Sequence, residues 1–150
     1  MTRTDQFSSS RQAPLTTLLF PFVTNAIAGP PALDTGIVIT NASAEPFGSG
    51  PPSFGPCVIH YFGHVTGGPA PPTQTSAVVA PGSQLIFSLS MGGTFGVAPT
   101  PGFQGYIVVE CFFSDAHGFA FMADYPSAKG ISTAYLAQVI SSRKIEAEVK

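Results

Sequence analysis

The sequence predicts an all-β fold, an antiparallel β-sandwich or barrel of about eight strands. Three observations carry that expectation. Short runs rich in Val, Ile, Leu, Phe and Thr recur along the chain, separated by Gly- and Pro-rich turns. No segment of ten or more residues keeps a helical period of apolar residues. Of 150 residues, 44% are hydrophobic and only 9% charged, so the chain can bury a real core and is not a disordered polypeptide.

The elements follow in order. Residues 1–14 are polar and unpatterned and read as a flexible N-terminal arm. Leu15–Thr24 is apolar, with Pro21 inside it; a proline cannot donate to a ladder, so this strand lies at an edge or bends at Pro21. Arg3 and Arg11 ahead of this run, and Ala26-Ile27-Ala28 after it, look like parts of an export signal, but Thr16, Thr17, Pro21 and Thr24 interrupt it and favour the strand. Asp34–Asn41 is β-branched and ends in a turn signal. After a Pro/Gly loop, Cys57–Phe62 forms the next strand. Thr75–Val79 is a short strand, and Gln84–Met91 follows the turn at Ala80–Ser83. Phe103–Phe113 is the longest β-like run, and Gly118–Tyr125 comes after a turn at Ser114–His117. Thr133–Ser141 reads as a last strand or a short helix. The domain therefore spans 15–141, with a charged tail at 142–150.

Charge placement excludes several functions. From Gln12 to Ala128 there is no Lys or Arg, while Asp34, Glu45, Glu110, Asp115 and Asp124 give that stretch a formal charge of −5. A basic footprint for nucleic acid is absent, as is a polybasic patch for anionic lipid. No run reaches the roughly 20 apolar residues that a spanning helix needs. A surface so poor in charge lacks the usual protection against association. It suits either an ordinary secreted, protease-resistant protein or one whose surface is buried against copies of itself.

The two cysteines, Cys57 and Cys111, read either as one bridge of a secreted domain or as two buried thiols. A bridge would close a loop of about 55 residues and stabilise the fold by about 4 kcal/mol on the loop-entropy account. It would also turn Cys57, Ile59 and Tyr61 inward, together with Ile107, Val109, Cys111 and Phe113. The outer faces would then carry Val58, Phe62, Val108 and Phe112. A half-wet sandwich strand should show polar residues there. These four are the candidate assembly surface, covered by a loop of this chain or by another subunit. His60 and Glu110 share that outward side and are expected to pair.

No catalytic, cofactor or metal site is expected. Asp34-Thr35-Gly36 matches the aspartic-protease triplet, but that chemistry needs two carboxylates sharing a proton and the chain has one copy. Ser114, Asp115 and His117 have triad residue types but stand too close in sequence for triad geometry. His60, His64, His117, Asp115 and Asp124 lack metal-ligand spacing. Asn41-Ala42-Ser43 fits the glycosylation triplet of a surface turn. Tyr61, Tyr106, Tyr125 and Tyr135, with thirteen Phe and no Trp, offer material for a sugar-stacking platform, although most of the Phe belong in the core.

LLFPFVTN, DTGIVITNAS, the Cys57 strand ending in Tyr-Phe-Gly, FQGYIVVECFF, AHGFAFMADY and YLAQVI together resemble a group of secreted, largely uncharacterised bacterial β-sandwich domains with the pattern FPFVTN…DTGIxIxN…C…FQGY…C…AHGFAF. The likeness covers most of Leu15–Ile140. It implies an Ig-like or jelly-roll-type sandwich, export and a Cys57–Cys111 bridge, and no activity. The expected function is that of an extracellular or cell-surface structural subunit, a homo-oligomer or polymer of a filament, sheath or surface layer, joined by strand exchange through its termini. The alternative is a monomeric module that binds carbohydrate or a cell surface. No cofactor and no nucleic-acid partner is expected.

Overall fold

A computed structural model describes residues 13–27, 32–46, 48, 50–124 and 130–140. The expected arm, apart from its last two residues, and the charged tail lie outside the described residues. The described residues form β-strands and loops, with no helix.

Eleven strands make two antiparallel sheets: β1 Thr16–Thr24, β2 Leu33–Asn41, β3 Cys57–Val65, β4 Gly68–Pro69, β5 Gln74–Thr75, β6 Gln84–Ser88, β7 Gly92–Gly93, β8 Phe103–Cys111, β9 Ala116–Asp124, β10 Ser132–Leu136 and β11 Gln138–Ile140. The first sheet has the order β11-β1-β8-β3-β4, with β5 also on β3. The second has the order β10-β9-β2-β6-β7. The chain changes sheet on passing from β1 to β2, β2 to β3, β5 to β6, β7 to β8, β8 to β9 and β10 to β11, so most long-strand pairs are distant in sequence.

The strands fall close to their expected places, with three differences. Of the two expectations for β1, the edge position is not found, since the strand lies between β8 and β11, while the irregularity at Pro21 is. Its ladder shifts register between Phe20 and Val23, which places Pro21 and Phe22 in a bulge and removes the need for a proline donor. Thr75–Val79 is not a continuous strand; Gln74–Thr75 pairs with β3, and Val79 makes a lone bridge to Gly55. Thr133–Ser141 is neither one strand nor a helix. β10 closes the second sheet, and the chain crosses at Ala137 so that β11 closes the first.

Alternation builds the core. Leu18 and Phe20 of β1, Ile59 of β3 and Ile107 and Val109 of β8 point between the sheets and meet Ile37, Ile39, Leu85 and Phe87. The inward side of β9 is small, with Ala116, Gly118 and Ala120. A Cβ on Gly118 would stand 3.1 Å from Phe20 Cζ and 2.9 Å from Val38 O, so this glycine makes room for the Phe20 ring. Threonines tie the sheets at both ends of β1. Thr35 Oγ1 donates to Thr24 O (2.8 Å) and accepts from Thr24 N–H (2.9 Å). Thr16 Oγ1 donates to Phe113 O (3.0 Å) and accepts from Ala116 N–H (3.3 Å). The Thr16 and Thr35 hydroxyls thus find the partners that burial demands.

Candidate functional site

Cys57 and Cys111 stand directly opposite each other across β3 and β8, fully buried. Phe112 N–H donates to Pro56 O at 3.0 Å, so the cysteines occupy a position between ladder hydrogen bonds. In that class of pair the Cα atoms are about 4.5 Å apart, at the short end of the range a disulfide tolerates. The implied bridge is not formed: both are free thiols. The neighbouring Cys57 thiol first, and burial second, push the Cys111 thiol far up from its ordinary pKa.

The outer face of the first sheet holds Val58, Phe62, Val108 and Phe112, but in three environments. Val58 is half-buried and paired with Thr75 of β5. The backbone of Gly55 lies against Phe112; a Cβ there would sit 2.5 Å from Phe112 O, so a loop of the chain partly covers this end. Val108 is half-buried between Leu19 and His60. His60 Nε2 meets Glu110 Oε1 at 2.8 Å, and both side chains are about one-third exposed. Phe62 is open. Its ring stacks on Tyr106, with centroids 5.0 Å apart and planes 16° apart, and each residue is 43% exposed.

Local backbone geometry exposes this aromatic pair. Gly63 and Gly105 face each other beside it, and a Cβ on either would collide with the other strand, 2.2 Å from Gln104 O and 2.0 Å from Phe62 O respectively. Gly63 has φ 147°, which an L side chain rarely adopts. The β1 bulge brings Phe22 to the same place. Pro21, Phe22, Phe62, His64, Gln104 and Tyr106 then border a shallow hollow of about 380 Å³ over the two glycines.

The second sheet carries an apolar outer face that the strand-by-strand reading did not identify. Ile86, Val38, Phe119 and Leu136 form one row across β6, β2, β9 and β10. Phe121 lies in the next row, opposite Gly36 and Ala134. Leu136 is 80% exposed and Ile86 52%. The signal was present: Ile86 alternates with Leu85 and Phe87, and Phe119 and Phe121 alternate with Gly118, Ala120 and Met122. Only the register shows that these outward residues align.

The remaining candidates are structural or scattered. Asp34 borders a cleft of about 530 Å³ with Asn25, Ile27, Leu33, Ser88, Ser90 and Met91. Its Oδ1 accepts from Asn25 Nδ2, Thr35 N–H and Ser90 N–H, and its Oδ2 from Ser90 Oγ. The carboxylate therefore fastens the ends of β1, β2 and the turn after β6. Ser114 N–H donates to Ser53 Oγ at 2.9 Å, and the two hydroxyls lie 3.3 Å apart. His60 and His117 lie on different sheets, and among the described residues no three His, Cys, Asp or Glu side chains converge on a possible metal position. Asn41 is fully buried rather than a surface acceptor; its Nδ2 donates to Ser53 O and Val79 O, both at 2.9 Å.

No helix among the described residues is long and apolar enough to cross a membrane. In comparisons with known proteins, no family model, no curated protein and no solved structure matches the chain.

Proposed function

We propose that this protein is an extracellular structural subunit that assembles with copies of itself into a filament, sheath or surface layer, and that it acts by binding rather than by catalysis. The observation that carries this reading is the outer face of the second sheet. Ile86, Val38, Phe119, Phe121 and Leu136 make a contiguous apolar band across it. Contiguous exposed apolar patches of this kind mark interaction sites. The −5 charge of residues 12–128 agrees with it, since copies can approach only where no carboxylate stands. The resemblance to secreted bacterial sandwich domains supports export, and the opposed cysteines are placed to bridge on oxidation outside the cell. Light scattering and negative-stain electron microscopy on the purified chain test the reading. Regular oligomers or polymers are expected; a monomer at all concentrations rejects it.

One observation favours a second reading, a carbohydrate-binding module. The Phe62–Tyr106 stack, with Phe22, Gln104 and His64 around the hollow, offers apolar ring surface beside polar groups, the combination that holds a sugar ring. Binding of neutral glycans that is lost in Phe62→Ala and Tyr106→Ala would establish it. Silence of the wild-type protein across a broad glycan array removes it.

A further inference from the structure

We infer that β10 pairs antiparallel with β10 of a second copy about a two-fold axis at Ala134, joining the second sheets of the two molecules. The inference rests on the assembly reading above and names its contact.

Asp124 N–H donates to Ile131 O at 3.0 Å, and Ala137 N–H donates to Gly118 O at 2.8 Å. Antiparallel pairs alternate, so residues 131, 133, 135 and 137 turn their backbone groups toward β9. Ser132, Ala134 and Leu136 turn theirs to the open side, and no strand among the described residues pairs there. Natural edges are guarded by Pro, Lys, a bulge or an inward charge. β10, Ser-Thr-Ala-Tyr-Leu, has no charge and no Pro, and its register with β9 is unbroken.

This edge is complementary to itself. With the axis at Ala134, each Ala134 faces its symmetry mate, and Ser132 of each copy faces Leu136 of the other. Every open N–H then meets a C=O, and every open C=O an N–H. The methyl side chain of Ala134 puts no bulk on the axis. Leu136, the most exposed of the apolar row, gains the backbone and Ser132 of the second copy as neighbours.

The chain's own terminal segments fit this edge less well. Residues 1–12 carry Arg3, Asp5 and Arg11, and residues 141–150 carry Arg143, Lys144, Glu146, Glu148 and Lys150. β10 itself is a charge-free strand of matching length. None of the five carboxylates of the body lies on β10 itself.

Sedimentation equilibrium on the full chain tests the pairing. The wild-type protein is expected to form dimers or multiples of dimers. Ala134→Pro removes an N–H that faces outward, so the bonds to β9 stay and the circular-dichroism spectrum should be unchanged. The dimer should weaken by roughly thirtyfold, because the two hydrogen bonds across the axis, one donated by each copy, are lost. Leu136→Lys, a charge at the edge, should do the same and stands in if the proline variant does not fold. Ala134→Cys should give a disulfide-linked dimer, and Gln84→Cys on the far side of the sheet should not. Deletion of residues 1–12 should leave the dimer intact. Unweakened dimers in the edge variants, or failure of Ala134→Cys to cross-link, overturn the pairing while assembly through another surface stands. Loss of the dimer on deleting 1–12 gives the edge to that segment and also overturns it. A monomeric wild-type protein overturns both the pairing and the assembly reading.

Discussion

At the scale of single residues, short motifs mislead because their meaning depends on burial. Asn41-Ala42-Ser43 spells a glycosylation site, yet the Asn41 amide is enclosed: it gives both hydrogens to Ser53 O and Val79 O and takes one from Ser43 N–H at 3.0 Å. Asn41→Ala should leave two carbonyls and an N–H short of a partner and cost about 3 kcal/mol, read as a lower midpoint in urea unfolding at unchanged slope. Asp34-Thr35-Gly36 spells a catalytic triplet, yet Asp34 fastens three segments and Thr35 ties the two sheets at Thr24. Gly118 is the opposite case. Its place in the AHGFAF segment was legible, but its reason, the Phe20 ring from the other sheet, was not.

At the scale of elements, β10 and β11 show how a terminal segment can serve two sheets. Tyr135 is the pin. Its side chain turns inward from β10, and its hydroxyl donates to Phe22 O in the β1 bulge and accepts from Phe22 N–H at 3.3 Å. Burial pushes the Tyr135 hydroxyl above its ordinary pKa, with the Phe22 bond opposing. Tyr135→Phe removes that tie between the sheets. It should cost about 1 kcal/mol and, more tellingly, speed amide hydrogen exchange across 132–140 while the β1–β8–β3 ladder keeps its protection. Neither a helix nor one strand could be chosen for Thr133–Ser141 from the sequence, because neither alternating set of residues was clearly apolar. The structure resolves this by changing sheets at Ala137, so the face that counts as inward changes within the segment.

At the scale of the whole molecule, the sandwich is held by pairings between distant segments, β1 with β8, β2 with β9 and β3 with β8. Such topologies close their loops before contacts compensate, so folding is expected on the millisecond-to-second scale. Stability should also fall at high pH. Burial pushes the Tyr61 hydroxyl from 10.0 up to about 12, so the unfolded chain loses this proton before the folded one does. The contribution is fully present below pH 10 and is lost between roughly pH 10 and 12, on the order of 2–3 kcal/mol. Urea midpoints measured across that range check it; Tyr61→Phe should flatten the decline.

The sequence by itself determined the all-β class, most strand positions and the inward sides of β3 and β8, because a two-residue alternation is a local property that the chain carries wherever it folds. It also determined the stretch without Lys or Arg from Gln12 to Ala128. It singled out Val58, Phe62, Val108 and Phe112 as one surface, since strand parity places them on one side. The tertiary structure decided which of these remain open: Gly55 lies on Phe112, β5 flanks Val58, and Phe62 stacks in the open on Tyr106. It alone brought Ile86, Val38, Phe119 and Leu136 into a single row, and it alone placed β10 at the end of its sheet, with no strand among the described residues beyond it. Register between strands distant in sequence is a collective property of the packed sheets, and no local pattern encodes it.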